Sequence, residues 1–487
     1  MTVVVVLYLI VTIWLSLYGF NLIALSIVYL FHRKDKPVLA ELDEYPHVTV
    51  QLPVFNERYV VERVIDAAAA LDWPRHKLHI QVLDDSTDET TGLARARAEF
   101  HRAHGIDVVV LHRTDRTGYK AGALLAGMAC QNSPFIAVFD GDFVPEPDFL
   151  KRMVPAFGDP QVGWVQARWT HINEGYSALT HAMVLPMDGH FAVEQVARTR
   201  GGLPMIFNGS AGVWRRECIN QAGGWQSDTL TEDADLSLRA QMLGWKGLMM
   251  PDVTVAAEMP VQIGAIKQQY YRWAKGGAQT LRKLFVPVAK SRMPLGKKLM
   301  TLFYLTNYLI PPLVMLMLVA WLPIILHPKW LSGIPMTFVS IATLAVPLEF
   351  TLGQIIIHRG DVRRIIFLPV FMVVGTGMAL NSARGVVQGL AGRNSEFMRT
   401  PKFCMEGATE TWKRSAYVMT ADPTAFGEAV MAGYAALMIM EAWRSGNLAA
   451  IPFLLLYAAG FACVAIGSAV NLRPRRRRST LHLKADA

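Results

Sequence analysis

Two adjacent acids in Thr231-Glu232-Asp233 are the first residues whose types could do chemistry. They lie in a polar loop between Gly223-Gly224-Trp225 and a helical-looking run, Leu236 to Leu243. A carboxylate held in such a loop can act as a general base. Thr231 and Asp235 could instead be ordinary caps, whose side chains bond the first amides of the helix. The stretch by itself leaves both interpretations open.

More acids follow short apolar runs that are suited to buried parallel strands. These runs are His47 to Phe55, Leu78 to Asp84, Val108 to Leu111 and Phe135 to Asp140. The polar residues at their ends are Asn56, Glu57, Asp84, Asp85, Asp140 and Asp142. Because ligands of open α/β sheets bind at the carboxyl ends of the strands, these side chains are expected to share one edge.

Acids that meet at one edge repel each other unless a cation lies between them. A hard divalent cation held by one or two carboxylates and a diphosphate meets this need. A glycine turn without a metal is the alternative for Asp140-Gly141-Asp142. Lys120 opens a helix after Gly118, where its ammonium group and the helix amides could meet a phosphate, or where it could simply be solvated.

The surrounding elements alternate in a regular way. Stretches with helical spacing, Tyr59 to Leu71, Glu89 to His104 and Ala121 to Cys130, separate the strand-like runs. Such alternation predicts an α/β layered domain.

Apolar residues are unevenly placed along the 487 residues, which include 12 Trp and 23 Met. Residues 1–31 and 300–471 hold long runs that are almost free of charge, whereas 32–295 is normally mixed. Thr2 to Phe31 is long enough to cross a bilayer and lacks the basic start of a signal peptide, so a permanent helix is expected. The sequence therefore predicts a soluble domain between membrane segments.

The net charge of +9 does not indicate a nucleic-acid partner. The basic clusters lie beside the hydrophobic segments, at His32 to Lys34, Lys290 to Lys298, Arg363-Arg364 and Arg473 to Arg478. This placement is explained by contact with anionic lipid and by the positive-inside rule. The four cysteines have no CxxC or Cys/His spacing, so neither a disulfide framework nor a zinc site is indicated.

Membrane spans are expected at 300–326, 333–357, 424–442 and 448–471, in addition to the first helix. If a further apolar stretch, 365–380, also crossed the bilayer, the basic loop 394–421 and the Arg473 to Arg478 run would both lie outside, against the positive-inside rule. If it were interfacial or re-entrant, the basic loop 394–421 and the Arg473 to Arg478 run would all face the cytosol. The prediction is therefore five spans, with Val261 to Leu284 as an amphipathic interfacial segment.

Six motifs in order resemble the family 2 inverting glycosyltransferases of the cellulose synthase type. They are Pro53-x-x-Asn56-Glu57, Asp84-Asp85-Ser86, Lys120-Ala121-Gly122, Asp140-x-Asp142, Thr231-Glu232-Asp233 and Gln269-x-x-Arg272-Trp273. The resemblance spans roughly residues 45–420 and looks closest to the glucomannan and mannan synthase-like branch. It implies a GT-A type α/β domain inserted in an α-helical transmembrane region.

The resemblance also implies roles for particular residues. Asp233 would be the base within Thr231-Glu232-Asp233, and Asp142 with Asp140 would hold Mg²⁺ or Mn²⁺. The nucleotide sugar would meet Pro53, Asn56, Glu57, Asp84, Asp85, Lys120, Asp140, Gln269 and Arg272. The acceptor would meet Trp273, Trp169, Phe207 and Asn208.

A gating loop is implied by Phe397-Met398-Arg399-Thr400-Pro401-Lys402, which looks like the F-x-V-T-x-K motif of cellulose synthases. Arg399 stands where valine is usual in that motif. A basic loop without a function is the alternative. In the gating-loop interpretation, the residues expected to function are Phe397, Arg399, Thr400 and Lys402.

These expectations define the domains and the function. The predicted parts are a first helix (1–31), a cytosolic GT-A domain (32–260), interfacial helices (261–298), a channel-like region (299–471) and a basic cytosolic tail (472–487). The expected enzyme sits in the plasma membrane and moves a hexose from a UDP- or GDP-sugar onto a β-linked polysaccharide, which it passes through its own helices.

Two other classes of protein compete with this prediction. A non-processive transferase that glycosylates a lipid such as diacylglycerol or ceramide would share the same signature. A transporter or receptor would be expected to place ionisable residues deep in its spans, and Glu349 is the main candidate.

Overall fold

A computed structural model gives the fold and describes residues 2–331, 334, 336–393, 399–405, 417, 422 and 424–469. The chain begins with a 31-residue helix, α1 (Thr2–His32). An α/β domain follows, and then a long helix and the remaining apolar helices.

One mixed sheet organises the α/β domain. Its strands are β1 (Val48–Val54), β2 (Leu78–Asp84), β3 (Val108–His112), β4 (Phe135–Val138), β5 (Val144–Pro145), β6 (Val162–His171), β7 (Gly212–Arg215) and β8 (Lys246–Ala257). They lie in the order β3-β2-β1-β4-β7-β6-β8-β5. Strands β3, β2, β1 and β4 are parallel, whereas β7 is antiparallel to both of its neighbours.

The parallel half confirms the expected strands, and β2 has the predicted bounds. The residues of β1 and β2 are almost all buried because helices cover both faces of the sheet. Those helices are α2 (Val61–Ala69), α3 (Thr90–Ala103), α4 (Tyr119–Cys130), α5 (Phe149–Met153), α6 (Ala178–Gly189), α7 (Gln195–Arg200), α8 (Arg216–Gln221) and α9 (Glu232–Met242). The sheet thereby separates two apolar cores, one centred on Val50 and Phe149, the other on Trp164 and Trp214.

Helix α10 (Ile263–Lys290) connects the sheet domain to the apolar helices. It is a single helix of 28 residues with many buried side chains, and its position at the membrane interface stays a prediction. Its Lys267 ammonium is fully buried and pairs with Glu428 at 2.6 Å and Asp422 at 2.9 Å. Lys267 also donates to Ser468 at 3.1 Å, which ties α10 to the last two helices of the chain.

The remaining helices are α11 (Leu295–Thr306), α12 (Ile310–Leu326), α13 (Thr337–Thr343), α14 (Ala345–Ile357), α15 (Leu368–Gly377), α16 (Ala379–Leu390), α17 (Ala425–Arg444) and α18 (Ile451–Ala469). Among the residues that the structure describes, five helical segments are long and apolar enough to cross a membrane. They are Val3–His32, Leu295–Leu326, Thr337–Ile357, Ala425–Arg444 and Leu448–Ala469. These correspond to the five expected spans.

The stretch 365–380 falls within a bent pair, Arg363–Gly377 and Ala379–Leu390, which meet at 45°. Such a pair can be a broken span or a re-entrant segment, so its placement stays a prediction. Phe397, most of the 394–421 loop and the 472–487 tail lie outside the described residues.

Candidate active site

One pocket lies at the carboxyl ends of β1, β2 and β4. The acids that follow these strands, Glu57, Asp85, Asp140 and Asp142, all line it. Three separate strands therefore bring carboxylates to one edge, as the sequence predicted. Helix α9, helix α10 and the segment 399–402 close the other sides of the pocket.

Asp233 lies in the first turn of α9 and projects into this pocket. Its Oδ1 accepts the amide hydrogen of Ala234 at 2.8 Å. A Cβ at Gly209 would lie 2.9 Å from Asp233 Oδ2, and Gly209 has a left-handed φ of +80°. Glycine is therefore required at 209 both by its backbone conformation and by its distance from the carboxylate.

The pKa of Asp233 is raised to about 7. Burial is the main cause, the neighbouring Glu232 carboxylate adds to it, and Lys120 opposes it. A carboxylate with a pKa near neutrality can both hold and release a proton at physiological pH, which is what a general base requires. Burial also raises the pKa of Glu232.

Lys120 lies between the acids of the pocket. Its Nζ donates to Asp140 Oδ1 at 2.6 Å and to the Gly209 carbonyl at 2.8 Å, and it lies 3.8 Å from Glu232 Oε1. Burial alone would lower the pKa of Lys120, but Asp140 and Glu232 outweigh it and raise that pKa. The ammonium therefore stays charged and is available to an anionic ligand.

Helix α10 supplies Gln269, Arg272 and Trp273 to the pocket lining. Burial lowers the pKa of Arg272 to about 10, which leaves the guanidinium charged at neutral pH. A Cβ at Gly276 would lie 2.6 Å from Thr231 Cγ2, so α10 packs directly against the start of α9. This contact places Arg272 and Asp233 in one pocket.

The segment 399–402 adds two cations. Arg399 pairs with Glu57 at 2.7 Å, and Lys402 Nζ donates to Asp142 Oδ2 at 2.7 Å. Thr400 accepts a hydrogen bond from Arg272 at 2.9 Å. The loop therefore contacts the acids at the strand ends, and a functional role for it stays a prediction.

The donor set suits a hard divalent cation. Lys120 occupies Asp140 Oδ1 and Lys402 occupies Asp142 Oδ2, so a cation would use the other oxygen of each carboxylate. Glu57 Oε2 is buried without a hydrogen-bond partner among the described residues. Burial raises the pKa of Glu57, and Asp142 and Asp140 raise it further, so extra positive charge would stabilise this cluster. Within the described residues no three His, Cys, Asp or Glu side chains form a metal site, so phosphate oxygens would have to complete the coordination.

Comparison with known proteins agrees with this arrangement. Residues 46–276 match the family described as glycosyltransferase like family 2. The chain contains a family 2 glycosyltransferase domain.

Curated relatives extend the match beyond this glycosyltransferase domain. A probable glucomannan 4-beta-mannosyltransferase 7 of Oryza sativa subsp. japonica is 41% identical over 62% of this chain and 55% of its own length. Glucomannan 4-beta-mannosyltransferase 7 of Arabidopsis thaliana is 35% identical over 74% of this chain and 65% of its own length. The chain thus spans between half and two thirds of these two relatives.

A solved structure has a similar fold. The mannosyltransferase PcManGT from Pyrobaculum calidifontis, in complex with GDP-Man and Mn2+, superposes with a TM-score of 0.55 at 21% identity. The match covers 80% of this chain and all of that one. It supports a GT-A-like fold for the glycosyltransferase domain.

Most of the predicted site residues come together in the glycosyltransferase domain. The pocket lining contains Pro53, Glu57, Asp85, Lys120, Asp140, Asp142, Trp169, Asn208, Thr231, Glu232, Asp233, Gln269, Arg272, Trp273, Arg399, Thr400 and Lys402. Asp85 is held by Arg113 through two hydrogen bonds of 2.7 and 2.6 Å. Asn208 is held by Gln195 at 2.7 Å and by His190 at 3.0 Å.

Of the predicted residues that the structure describes, three are not in the lining. Phe207 is fully buried and packs edge-on against Trp214, so its ring belongs to the core rather than to an acceptor groove. Asp84 is also fully buried and accepts from Thr91 at 2.6 Å, so it holds β2 to α3. Asn56 accepts from the Thr87 amide at 2.8 Å and orders the turn beside the pocket. A direct contact of these three with a ligand has no support in the geometry.

The helix-cap alternative for Thr231 is also corrected. Thr231 is the N-cap residue of α9, but its side chain makes no capping bond and instead meets Thr280 Oγ1 at 3.1 Å. Asp235 pairs with Arg239 and with Lys283. Neither side chain caps the helix, because α10 and neighbouring cations engage both of them.

Sequence reasoning missed several lining residues. The Arg116 guanidinium lies 3.4 Å from the centre of the Phe55 ring, and both residues line the pocket. Glu258 directly follows β8 and also lines it. Glu258 obeys the same rule that identified Asp140, an acid at the end of an apolar strand, but β8 had not been recognised as a strand.

Proposed function

We propose that this chain is a membrane-embedded inverting glycosyltransferase that adds hexosyl residues to a growing β-linked polysaccharide. Mannose is the hexose that we favour. The observation that carries the proposal is Asp233, with a pKa of about 7, in one pocket with the cations Lys120 and Arg272. A base and a site for a leaving anion are the two requirements of glycosyl transfer.

In the proposed step the acceptor hydroxyl gives its proton to Asp233 as its oxygen bonds to the anomeric carbon of the donor sugar. The bond from that carbon to the diphosphate oxygen breaks, and the electron pair leaves with the diphosphate. Attack opposite to the leaving group inverts the configuration at the carbon.

The leaving diphosphate gains one negative charge, on the oxygen released from the anomeric carbon, and Lys120 and Arg272 would offset that charge. Guanidinium groups suit phosphate because they donate two parallel hydrogen bonds. Asp140 and Asp142 would hold Mg²⁺ or Mn²⁺, which when bound neutralises the diphosphate as a Lewis acid. The Mn²⁺ in the PcManGT complex supports this choice of metal.

The nucleoside would lie between β1 and β2, beside Glu57, Asp85, Phe55 and Arg116. An aromatic ring and a guanidinium offer flat faces on which a base can stack. We favour a GDP-sugar, since the mannosyltransferase with the similar fold holds GDP-Man. A UDP-sugar is the alternative that the donor assay addresses.

The acceptor would approach past Trp273, Trp169 and Asn208, which line the pocket on the side of α10 and β6. Aromatic faces suit the apolar faces of sugar rings. The five apolar helices support an integral membrane protein, and the basic segments beside them favour a cytosolic catalytic domain at the plasma membrane. Passage of the product through those helices is part of the proposal.

The test uses the purified full chain in nanodiscs with single UDP- and GDP-hexoses and Mg²⁺ or Mn²⁺. The expected product is a polymer that endo-β-mannanase degrades, formed from GDP-mannose and lost after removal of the metal. If the only product is an organic-extractable glycolipid, the acceptor is a lipid and not a polysaccharide. Absence of transfer from every sugar nucleotide would refute the proposal.

A further inference from the structure

The segment 399–405 is held over the pocket by a carboxylate outside the predicted site. Glu258, which is 3% exposed, accepts backbone hydrogen bonds from three successive amides. Its Oε1 accepts from Phe403 at 2.7 Å, and its Oε2 accepts from Cys404 at 2.9 Å and from Met405 at 3.3 Å. A buried carboxylate that receives three amides is a strong and directional anchor.

The backbone of the segment is shaped for this contact. Cys404 has a left-handed φ of +58°, which is uncommon for a side chain other than glycine, asparagine or aspartate. A left-handed residue among successive amides curves them into a concave site for an anion. Such a conformation persists only where its surroundings hold it, and the Glu258 carboxylate is the group at its centre.

Glu258 also connects the segment to the acids of the pocket. Its own amide donates to Asp142 Oδ2 at 2.9 Å, and its carbonyl accepts from Lys402 Nζ at 2.7 Å. The same Lys402 Nζ donates to Asp142 Oδ2. The anchor therefore sets the distance between Lys402 and Asp142 through rigid backbone at the end of β8.

We propose that Glu258 is a positioning residue that fixes the register of the segment 399–405, and so places Arg399 on Glu57 and Lys402 on Asp142. Phe403 and Met405 pack against Val261 and hold the segment to the surface of the domain. Those apolar contacts tolerate a shift of the segment along the surface of the domain. The three hydrogen bonds from successive amides to one carboxylate do not tolerate such a shift. Glu258 thus supplies the register.

The consequence for the site concerns the donor. With the segment in register, Arg399 and Lys402 add to Lys120 and Arg272 in a pocket that would receive a diphosphate. This consequence rests on the proposed function, whereas the register of the segment does not. Two measurements therefore separate them.

The first measurement uses the native cysteines of the full chain in nanodiscs. N-ethylmaleimide labelling of Cys404, followed peptide by peptide in a mass spectrometer, reports release of the segment. Cys130 is exposed and calibrates the reagent, whereas Cys218 is fully buried and reports unfolding. Glu258→Gln is expected to raise the labelling rate of Cys404 at least five-fold, with Cys130 and Cys218 unchanged. The control Glu146→Gln replaces an exposed acid of the same domain and should change none of the rates.

A second variant separates the anchor from the ion pair. Lys402→Met removes the contact with Asp142 but keeps all three amides on Glu258, so Cys404 should label within about two-fold of the wild-type rate. Equal release by Lys402→Met, or no release by Glu258→Gln, would overturn the proposal. If Glu258→Gln exposes Cys218 and so reports unfolding, Glu258→Asp is used instead. Aspartate keeps the charge of the carboxylate, but its shorter side chain does not reach the three amides.

The second measurement concerns binding. Glu258→Gln should weaken the affinity for GDP, or for UDP if that is the donor nucleotide, by three-fold or more in calorimetry, and raise the KM for the donor but not for the acceptor. A changed Cys404 rate with unchanged nucleotide affinity would keep the anchor and reject its effect on the donor. A failure to find transferase activity would leave the labelling result intact.

Discussion

Replacement of Asp233 by asparagine should abolish transfer and yet stabilise the protein at neutral and alkaline pH. Folding raises the pKa of this carboxyl from 3.8 to about 7, chiefly through burial. The folded protein therefore favours the protonated form, and ionisation of Asp233 opposes folding. The opposing free energy is absent well below pH 3.8, grows between pH 3.8 and 7, and is constant above pH 7.

The magnitude follows from the two pKa values. At about 1.4 kcal/mol per pH unit, their difference amounts to about 4 kcal/mol above pH 7 and about 2 kcal/mol at pH 5. Asparagine has no charge to bury and so removes this cost. The value is an upper bound, because Lys120 loses one of its anionic neighbours in the variant. A change of about 2 kcal/mol moves the melting temperature of a domain of this size by about 5 °C.

The assay compares melting temperatures of wild type and Asp233→Asn at pH 5 and pH 9, together with transfer rates. The variant should melt higher, and its advantage should widen by up to about 5 °C between the two pH values. Transfer should fall by about 10²- to 10⁴-fold, which is the usual contribution of a general base. In the wild type, kcat should rise with pH through about 7 as the accepting carboxylate forms.

A matched control lies two residues further along α9. Asp235 is fully buried but pairs with Lys283 at 2.9 Å and with Arg239 at 2.8 Å. Asp235→Asn would leave two cations without that partner and should lower the melting temperature at both pH values. If Asp233→Asn shows no pH-dependent advantage, the burial argument fails. If it keeps transfer within ten-fold of the wild type, Asp233 is not the base.

Three further predictions concern a glycine beside this base, a buried ion pair between helices and a core aromatic residue. Gly209→Ala puts a methyl group 2.9 Å from Asp233 Oδ2 at a left-handed φ, so transfer should fall at least ten-fold while nucleotide affinity is kept; unchanged turnover would contradict the close approach. Lys267→Met leaves the buried Glu428 without its cation and should cost about 3 to 5 kcal/mol, seen as a lower melting temperature in nanodiscs. Phe207→Ala should destabilise the domain by about 3 to 5 kcal/mol without a selective rise in the KM for the acceptor, and such a selective rise would restore Phe207 to the acceptor groove.

The parallel half of the sheet could be predicted because its signals are local. Short apolar runs such as Leu78–Asp84 are bounded by charged or polar residues, and strands buried on both faces need no alternation. The antiparallel half gave no such signal. Strand β7 has only four residues, Gly212–Arg215, and β8 contains Pro251 and Asp252, which interrupt its apolar pattern. Their pairing is set by tertiary contacts far apart in the chain.

The site residues also divide into those with a local signal in the sequence and those without one. Asp140, Asp142 and Asp233 could be predicted because each stands at the end or start of a recognisable element, and because ordered motifs supported one another. Phe207 was misplaced because its direction depends on packing against Trp214, which no spacing encodes. Glu258 was missed because its partners are backbone amides, and a backbone amide has no residue type to recognise.

The adjacent acids of α9 combine two opposed effects in a single turn. The amino end of a helix stabilises negative charge, which by itself would lower the pKa of Asp233. Burial and the Glu232 carboxylate raise it instead, so desolvation outweighs the helix end. The contact of Gly276 with Thr231 maintains that burial, since it presses α10 against the start of α9. Enlarging residue 276 should therefore admit water, lower the pKa of Asp233 and shift the rise of kcat to lower pH, even though residue 276 touches no ligand.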